Sequence, residues 1–474
     1  MLSRREFFRA TAITSAGLAA GLNNVTAANA ASQKRVANAN SRVNIALIGI
    51  GNRGEQVIED VQKTGLANVV ALCDVDMGAP HTQKTMVNYP NARRFNDFRI
   101  MFDKMSNEIE AVFICTPDHS HFPISMMAMS LGKHVYVEKP MARTFYEAEL
   151  MMKAARKYPN VVTQVGNQGH SEANYFQFKA WKDAGIIKDI TAVSAHMNNP
   201  RRWHNWDVNM CKYPDAEPIP ETLDWNLWHL ALPYHDYSEM YHKGEWRSWF
   251  DFGMGALGDW GAHILDTIHE FLELGLPYEI NPVRLDGHND YFFPIASTIL
   301  FKFPQRSGMP PIDVTWYDGV DNLPPIPDGY GVSEIDPNIP TSGAGEINPS
   351  AINPGKIIYG KDLTFKGGSH GSTLSIIPDS KAKEIAPRLP DVPKSTSDHF
   401  ANFLLACQGK ETTRSPFELH GALSQTFSLG VIAQRLNAKL EFDARLKQIT
   451  NNQFANAMLT GIPPRKGWEE YYKL

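Results

Sequence analysis

The chain has 474 residues, room for about two or three domains that each bury a core. Its composition is that of a globular protein, 43% hydrophobic and 20% charged, and a formal net charge of −5 supplies no basic surface for nucleic acid. Beyond the first 30 residues no uncharged apolar run is long enough to span a bilayer, so a membrane-spanning class is excluded.

The N-terminus reads as a leader. Ser3-Arg4-Arg5-Glu6-Phe7-Phe8 precedes a mild apolar run, Ala10 to Leu22, and then Ala28-Asn29-Ala30. A basic start, a short apolar stretch and an A-x-A exit define a signal peptide over residues 1–30, and the paired arginines resemble a twin-arginine export signal. The alternative is an amphipathic N-terminal helix. That route carries folded proteins, so the expected location is the periplasm, and any cofactor is expected to be held tightly. No Cys lies near the exit to take a lipid. Residues 31–41 read as a flexible lead-in, and the four Cys, 73, 115, 211 and 407, as free buried thiols.

The stretch Val43 to Asp74 organises the rest of the chain. An apolar run, Ile45 to Ile50, meets Gly49-Ile50-Gly51-Asn52-Arg53-Gly54, then an amphipathic helical segment carrying Val57, Ile58 and Val61. A second apolar run, Val69 to Leu72, closes on Asp74, about 20 residues past the last glycine. Strand, glycine turn, helix, strand and acid together form a dinucleotide-binding fingerprint. Gly49 makes the tight turn, Gly51 admits a pyrophosphate, and Gly54 lets helix and strand pack closely. Asp74 accepts from ribose hydroxyls and repels a 2′-phosphate, which favours NAD over NADP.

Further along come a helix near 80–88, a strand AVFIC at 111–115, and Thr116-Pro117-Asp118-His119-Ser120-His121. A helix from Phe122 to Leu131, a strand from His134 to Val137, Glu138-Lys139-Pro140, a helix from Phe145 to Lys157 and a strand from Val161 to Val165 come after it. Alternating strands and helices predict a doubly wound parallel sheet over 42–165, with ligands beyond the carboxyl ends of its strands. That rule gathers the glycine turn, Thr116–His121 and Glu138–Pro140 around one crevice.

From about Gly166 the pattern changes to an α+β domain with a mostly antiparallel sheet, residues 166–474. A helix at 171–184 leads to a strand at 189–196, with further strands at 298–303, 312–317, 356–359, 363–365 and 373–377. Helices are expected at 397–407 and 420–436. Between 198 and 251 periodicity fades and aromatics crowd (Trp203, Trp206, Trp225, Trp228, Trp246, Trp249). These rings either stack on sugar C–H faces or pin a long loop, and both roles stay open. A second irregular region, 304–354, is rich in proline.

Three groups carry candidate chemistry. Lys139, at a strand end in a partly desolvated crevice, is expected to have a lowered pKa; the alternative is a surface lysine paired with Glu138. Asp259 and His263 stand one helical turn apart, so the carboxylate is expected to fix the imidazole tautomer and raise its pKa; a helix cap plus a core histidine is the alternative. The histidines 119, 121, 170, 196 and 204 invite a metal reading, yet no Cys or Glu completes a recognisable set, and no metal is expected. The Asp118–His121 loop is better placed to frame a nicotinamide.

Together, GIGNRG, CDV, CTPDHSH, EKP, TQVGNQGH at 163–170 and GALGDWGAHILD at 255–266 resemble the Gfo/Idh/MocA oxidoreductases, NAD(P)-dependent enzymes of sugars and cyclitols. The likeness is strong over 43–266 and loose beyond. It implies a Rossmann domain followed by a domain with a large open sheet, in a homo-oligomer (dimer or tetramer). It also implies Lys139, Asp259 and His263 as the catalytic set and Thr116-Pro117 as a cofactor-lining turn. Asn52, Arg53, Glu138 and Asn167 join the glycines, Asp74, Lys139, His119 and His121 as the cofactor-binding expectation. Gln164, Asn167 and Gln168 stand where relatives vary. The exported, Trp-rich branch suggests oxidation of a glycoside hydroxyl, the 3-position first. A glycosidase that oxidises, eliminates, hydrates and reduces with one NAD is the alternative, and a non-catalytic sugar binder is a third possibility.

Overall fold

The protein is described by a computed structural model covering residues 42–199, 206–242, 244–306, 308–330 and 352–474. The leader at 1–30, the lead-in at 31–41, Trp203, His204 and much of the proline-rich stretch lie outside the described residues.

Six strands, β1 (Val43–Ile48), β2 (Ala67–Cys73), β3 (Arg93–Phe95), β4 (Ala111–Ile114), β5 (His134–Val137) and β6 (Thr163–Val165), form a parallel sheet in the order β3-β2-β1-β4-β5-β6. The central strand β4, Ala-Val-Phe-Ile, is apolar and buried on both faces because both are covered, whereas the edge strand β3 exposes Arg93 and Arg94. Helix α1 (Arg53–Lys63) buries Val57, Ile58 and Val61 against one face. The helices at Phe98–Met105, His121–Ser130 and α2 (Phe145–Lys157) cover the other. A reciprocal capping box, Thr144 with Glu147, fixes where α2 begins.

Successive crossovers leave the first face bare over β4 and β5, where Phe113 and Tyr136 project. The helix His399–Cys407 fills that gap: Phe403 meets the Phe113 ring edge-on at 5.3 Å, and Phe400 lies 5.6 Å from Tyr136. The C-terminal segment returns to the first sheet again at Trp468, 6.2 Å from Phe98. A split at 165/166 therefore divides the two sheets but not the two cores.

The second sheet has nine strands. They are β7 (Ile190–Met197), β8 (Glu279–Asp286), β9 (Ala296–Phe303), β10 (Ile312–Asp318), β11 (Gly355–Gly360), β12 (Thr364–Gly368), β13 (Ser375–Ile377), β14 (Leu440–Asp443) and β15 (Gln448–Ile449). The order is β13-β12-β11-β7-β10-β9-β8-β14-β15, antiparallel throughout except for the parallel pair β7–β10. The sequence pattern missed β8, which carries Pro282, a register shift beside it and an exposed Val283. Helices α3 (Gly255–Ile264) and α4 (Phe417–Leu436) pack on this sheet, with Gly430 set against Leu257 and Phe301.

The aromatic region builds a core of its own. Trp225, Trp249, Tyr241, Phe252 and Phe292 are almost wholly buried around one another, and the Trp225 and Trp228 rings stack at 4.5 Å. Pinning the loop is thus the main work of these rings, while Trp228 and Trp246 also reach a cleft at the ends of the parallel strands. All four cysteines are free, but Cys211 is exposed rather than buried. Among the described residues no helix is long and apolar enough to cross a membrane.

Candidate active site

The cleft, of about 510 Å³, opens at the carboxyl ends of the parallel strands. Gly49, Gly51, Asn52 and Arg53 line it together with Thr116, Pro117, Asp118 and Glu138, and with Lys139, Asp259, His263 and His370.

The glycine turn is shaped to hold a pyrophosphate. Gly49 has a φ of +82°, and a Cβ there would sit 2.8 Å from the Cys115 carbonyl. A Cβ on Gly54 would lie 1.9 Å from Gly49 O, so only glycine lets α1 start this close to β1. No side chain caps α1 at Asn52, which leaves the helix N-terminus to face an anion. Gly51 has an additional reason to be glycine, because a Cβ would strike the His81 ring at 2.1 Å.

Asp74 lines the cleft, but both its oxygens accept backbone bonds, from Ile50 N at 2.9 Å and Asp76 N at 3.0 Å. Its first task is to hold the glycine turn; each oxygen keeps a second lone pair for a ribose hydroxyl. Burial raises its pKa, and those two bonds pull it back. Arg53 donates through Nε and Nη2 to Glu138 Oε1, at 3.0 and 2.8 Å. Burial opposes that guanidinium's charge, but Glu138 outweighs it and the net shift is upward. The pair ties the start of α1 to the end of β5.

Glu138 is therefore taken by Arg53, and Lys139 has a different partner. Lys139 Nζ donates to Asp259 Oδ1 at 2.6 Å and to the Asp259 backbone carbonyl at 2.8 Å. Burial lowers the lysine pKa and Asp259 works against that fall. This corrects the expected Asp259–His263 couple: the ion pair built by Asp259 is with Lys139. The pKa of His263 is not raised but lies well below its usual value, first through burial and then through His370 and Lys139. That shift favours the uncharged imidazole and weakens it as a proton acceptor. Its ring stacks on His370, centroids 3.8 Å apart and planes 19° apart.

Three expected cofactor contacts lie elsewhere. His119 is buried against Trp228 and Phe252, its Nε2 2.8 Å from Trp228 O. His121 sits between the carbonyls of Pro140 and Thr116, both at 2.8 Å, and braces the two turns. Burial lowers both pKa values, to about 3 for His119. Asn167 donates to Ala262 O at 2.8 Å, steadying α3 from behind. The alternation of small and polar residues in these loops gave no sign of which side chains turn inward.

Two groups had no role of their own in the sequence reading. Asp118 lines the cleft and accepts from Met254 N at 3.1 Å; burial pushes its pKa up to about 7. It stood in the CTPDHSH stretch, where its acid was the available signal. His370 lies in a glycine- and serine-rich turn that no periodicity distinguishes. His170, among the metal candidates, forms with Asp266 and His420 a buried group beside the cleft. His170 Nε2 lies 2.6 Å from Asp266 Oδ1, and although burial lowers the histidine pKa, Asp266 raises it further.

Fold and cleft define a dinucleotide-binding Rossmann sheet joined to a second, mostly antiparallel sheet. Residues 43–166 match the family model for an oxidoreductase family, NAD-binding Rossmann fold, and residues 190–290 match that family's C-terminal alpha/beta domain. These two stretches carry the two domains of the Gfo/Idh/MocA oxidoreductase family. It is 27% identical over 179 residues to an inositol 2-dehydrogenase of Salmonella typhimurium, covering 37% of this chain and 50% of the relative. It is also 27% identical over 180 residues to a glycosyl hydrolase family 109 protein of Porphyromonas gingivalis, covering 35% of this chain and 38% of the relative. The matches thus span half or less of these two relatives. In fold it resembles the WlbA dehydrogenase of Chromobacterium violaceum, solved with NADH and UDP-GlcNAcA, with a TM-score of 0.55 at 16% identity over 85% of this chain and 97% of that one.

Proposed function

We propose that the protein oxidises a secondary hydroxyl of a sugar or glycoside, the 3-hydroxyl of a glucoside first, with a tightly held NAD. The observation that carries this reading is the Lys139–Asp259 ion pair in the wall of the cleft that His263 and the glycine turn also line. The turn, the N-terminus of α1 and Asp74 would hold the dinucleotide, and its nicotinamide supplies a hydride acceptor when bound. Lys139 hydrogen-bonds the substrate oxygen, Asp259 keeps the ammonium in place, and Lys139 and His263 handle the hydroxyl proton between them. Trp260, Trp228 and Trp246, each at most 7% exposed, form part of the apolar wall that a pyranose would meet.

Asp74 supports NAD over NADP, since a carboxylate repels a 2′-phosphate. Export through a folded-protein route, read from Arg4-Arg5, accords with a cofactor that does not dissociate. A homo-oligomer formed through the second sheet, where Tyr278 and Val283 are exposed, completes the proposal. The likeness to a glycosyl hydrolase family 109 protein favours one second reading, redox-neutral cleavage of a glycoside.

Aryl glucosides incubated with the purified protein test both. Reduced cofactor and a keto-glycoside without aglycone support the dehydrogenase. Aglycone released without net NADH supports the second reading, and neither signal from any sugar tested would overturn the proposal.

A further inference from the structure

We propose that His170, Asp266 and His420 form a structural site for a divalent first-row transition metal, zinc first, buried beside the cleft. The inference does not depend on which reaction the cleft performs. His170 and His420 lie outside both stretches matched by the family models.

Three separate segments deliver the donors. His170 stands in the turn Gln168–Ser171 that leaves the first sheet. Asp266 opens the helix Asp266–Phe271 directly after α3, and His420 lies near the start of α4. One ligand atom of each lies within 4.8 Å of those of the other two, and all three residues are at most 4% exposed. Two imidazoles and one carboxylate, with no thiolate, suit zinc and its first-row neighbours.

Hydrogen bonding within the protein does not account for this group. His420 Nε2 is buried and makes no hydrogen bond, and Nδ1 stands 3.9 Å from Asp266 Oδ1, beyond hydrogen-bond reach. A buried imidazole left in that state is costly. Two donors bound to one zinc stand about 3–4 Å apart, which is the spacing of this pair. His170 Nε2 and Asp266 Oδ1, at 2.6 Å, need to open by about 0.5 Å to share the metal.

The surroundings of His170 are those of a metal ligand. Its Nδ1 lies 3.0 Å from Arg414 O, which holds the ring with Nε2 toward Asp266. Glu270 Oε2, buried and without a hydrogen bond, stands 3.3 Å from the same Nδ1. A divalent cation with Asp266, Glu270 and two neutral imidazoles makes an electrically balanced buried group. Bound there, the metal ties the exit of the first sheet and α4 to the end of α3, the helix that carries Asp259 and His263.

The untagged full chain, expressed with added zinc and dialysed against a chelator, tests this by elemental mass spectrometry. About one zinc per chain is expected in the wild type and less than about a tenth of that in His420→Gln. Circular dichroism verifies that the variant is folded. Zinc K-edge absorption on the wild type, which needs no variant, is expected to show imidazole nitrogen and carboxylate oxygen at about 2.0–2.2 Å. Glu270→Gln is expected to weaken zinc retention against a competing chelator about 10- to 100-fold. Another first-row divalent metal in zinc's place, with the same dependence on His420, supports the site. Wild-type protein without stoichiometric metal would overturn it. So would equal metal content in folded His420→Gln, or an absorption spectrum without imidazole ligands.

Discussion

Lys139 Nζ lies 2.6 Å from Asp259 Oδ1, joining residues 120 apart in sequence. The contact couples the end of β5, in the first sheet's domain, to α3, in the second's. Both side chains are largely buried, so each charge depends on the other, and losing either partner strands a charge away from water. Lys139→Met is expected to reduce single-turnover hydride transfer about 100- to 10,000-fold. It should also lower the denaturant midpoint, and Lys139→Met with Asp259→Leu should recover part of that loss. A double-mutant cycle in urea measures the coupling; additive effects would show the pair to be energetically idle.

Asp118 makes stability depend on pH. Its folded pKa of about 7 lies above the ordinary 3.8, so between those values the folded state holds a proton that the unfolded chain has lost. Its contribution is complete below about pH 4 and is lost as pH rises through about 7. Asp118→Asn is expected to gain stability relative to wild type at pH 8 and to gain little at pH 4. Urea midpoints at both values check this; an equal difference at both would contradict it.

Gly54→Ala places a methyl group where Gly49 O stands, 1.9 Å away, and must displace the glycine turn. The expected result is loss of tight dinucleotide retention, at least about tenfold in Kd. Titration calorimetry on protein stripped of cofactor reads it, with circular dichroism verifying that the two sheets persist. Unchanged affinity would remove the turn from the binding site.

Phe403→Ala opens a cavity between Phe113 and Tyr136 on the first sheet, although residue 403 lies far beyond that sheet in sequence. A wholly buried Phe costs about 3–5 kcal/mol on truncation. Chemical denaturation should show one cooperative loss, because the helix at 399–407 completes the first core.

Much of this was legible before the structure, and the boundary has physical causes. β1, the glycine turn and α1 are local, so spacing alone carries them. The ends of β4 and β5 came from the rule for parallel sheets. The Asp259 partner was misread because one helical turn makes His263 the obvious neighbour, whereas Lys139 arrives only through domain packing. Phe400 and Phe403 show ordinary helical periodicity, which does not say which sheet they cover. His370 depends on a left-handed turn residue and on Gly371 against Glu172, and no sequence period encodes that seat.

The most direct test is stopped-flow absorbance at 340 nm on wild-type, Lys139→Met and His263→Gln protein loaded with NAD and mixed with a panel of glucosides. A burst of bound NADH is expected in the wild type with at least one sugar, cut about 100-fold or more in each variant. The sign of the pH effect is fixed by His263, whose pKa is pushed down: the burst should not fall between pH 8 and 6.5 through its protonation. A burst of equal rate in all three proteins, or none in the wild type with any sugar, would contradict the assignment of this cleft to sugar oxidation.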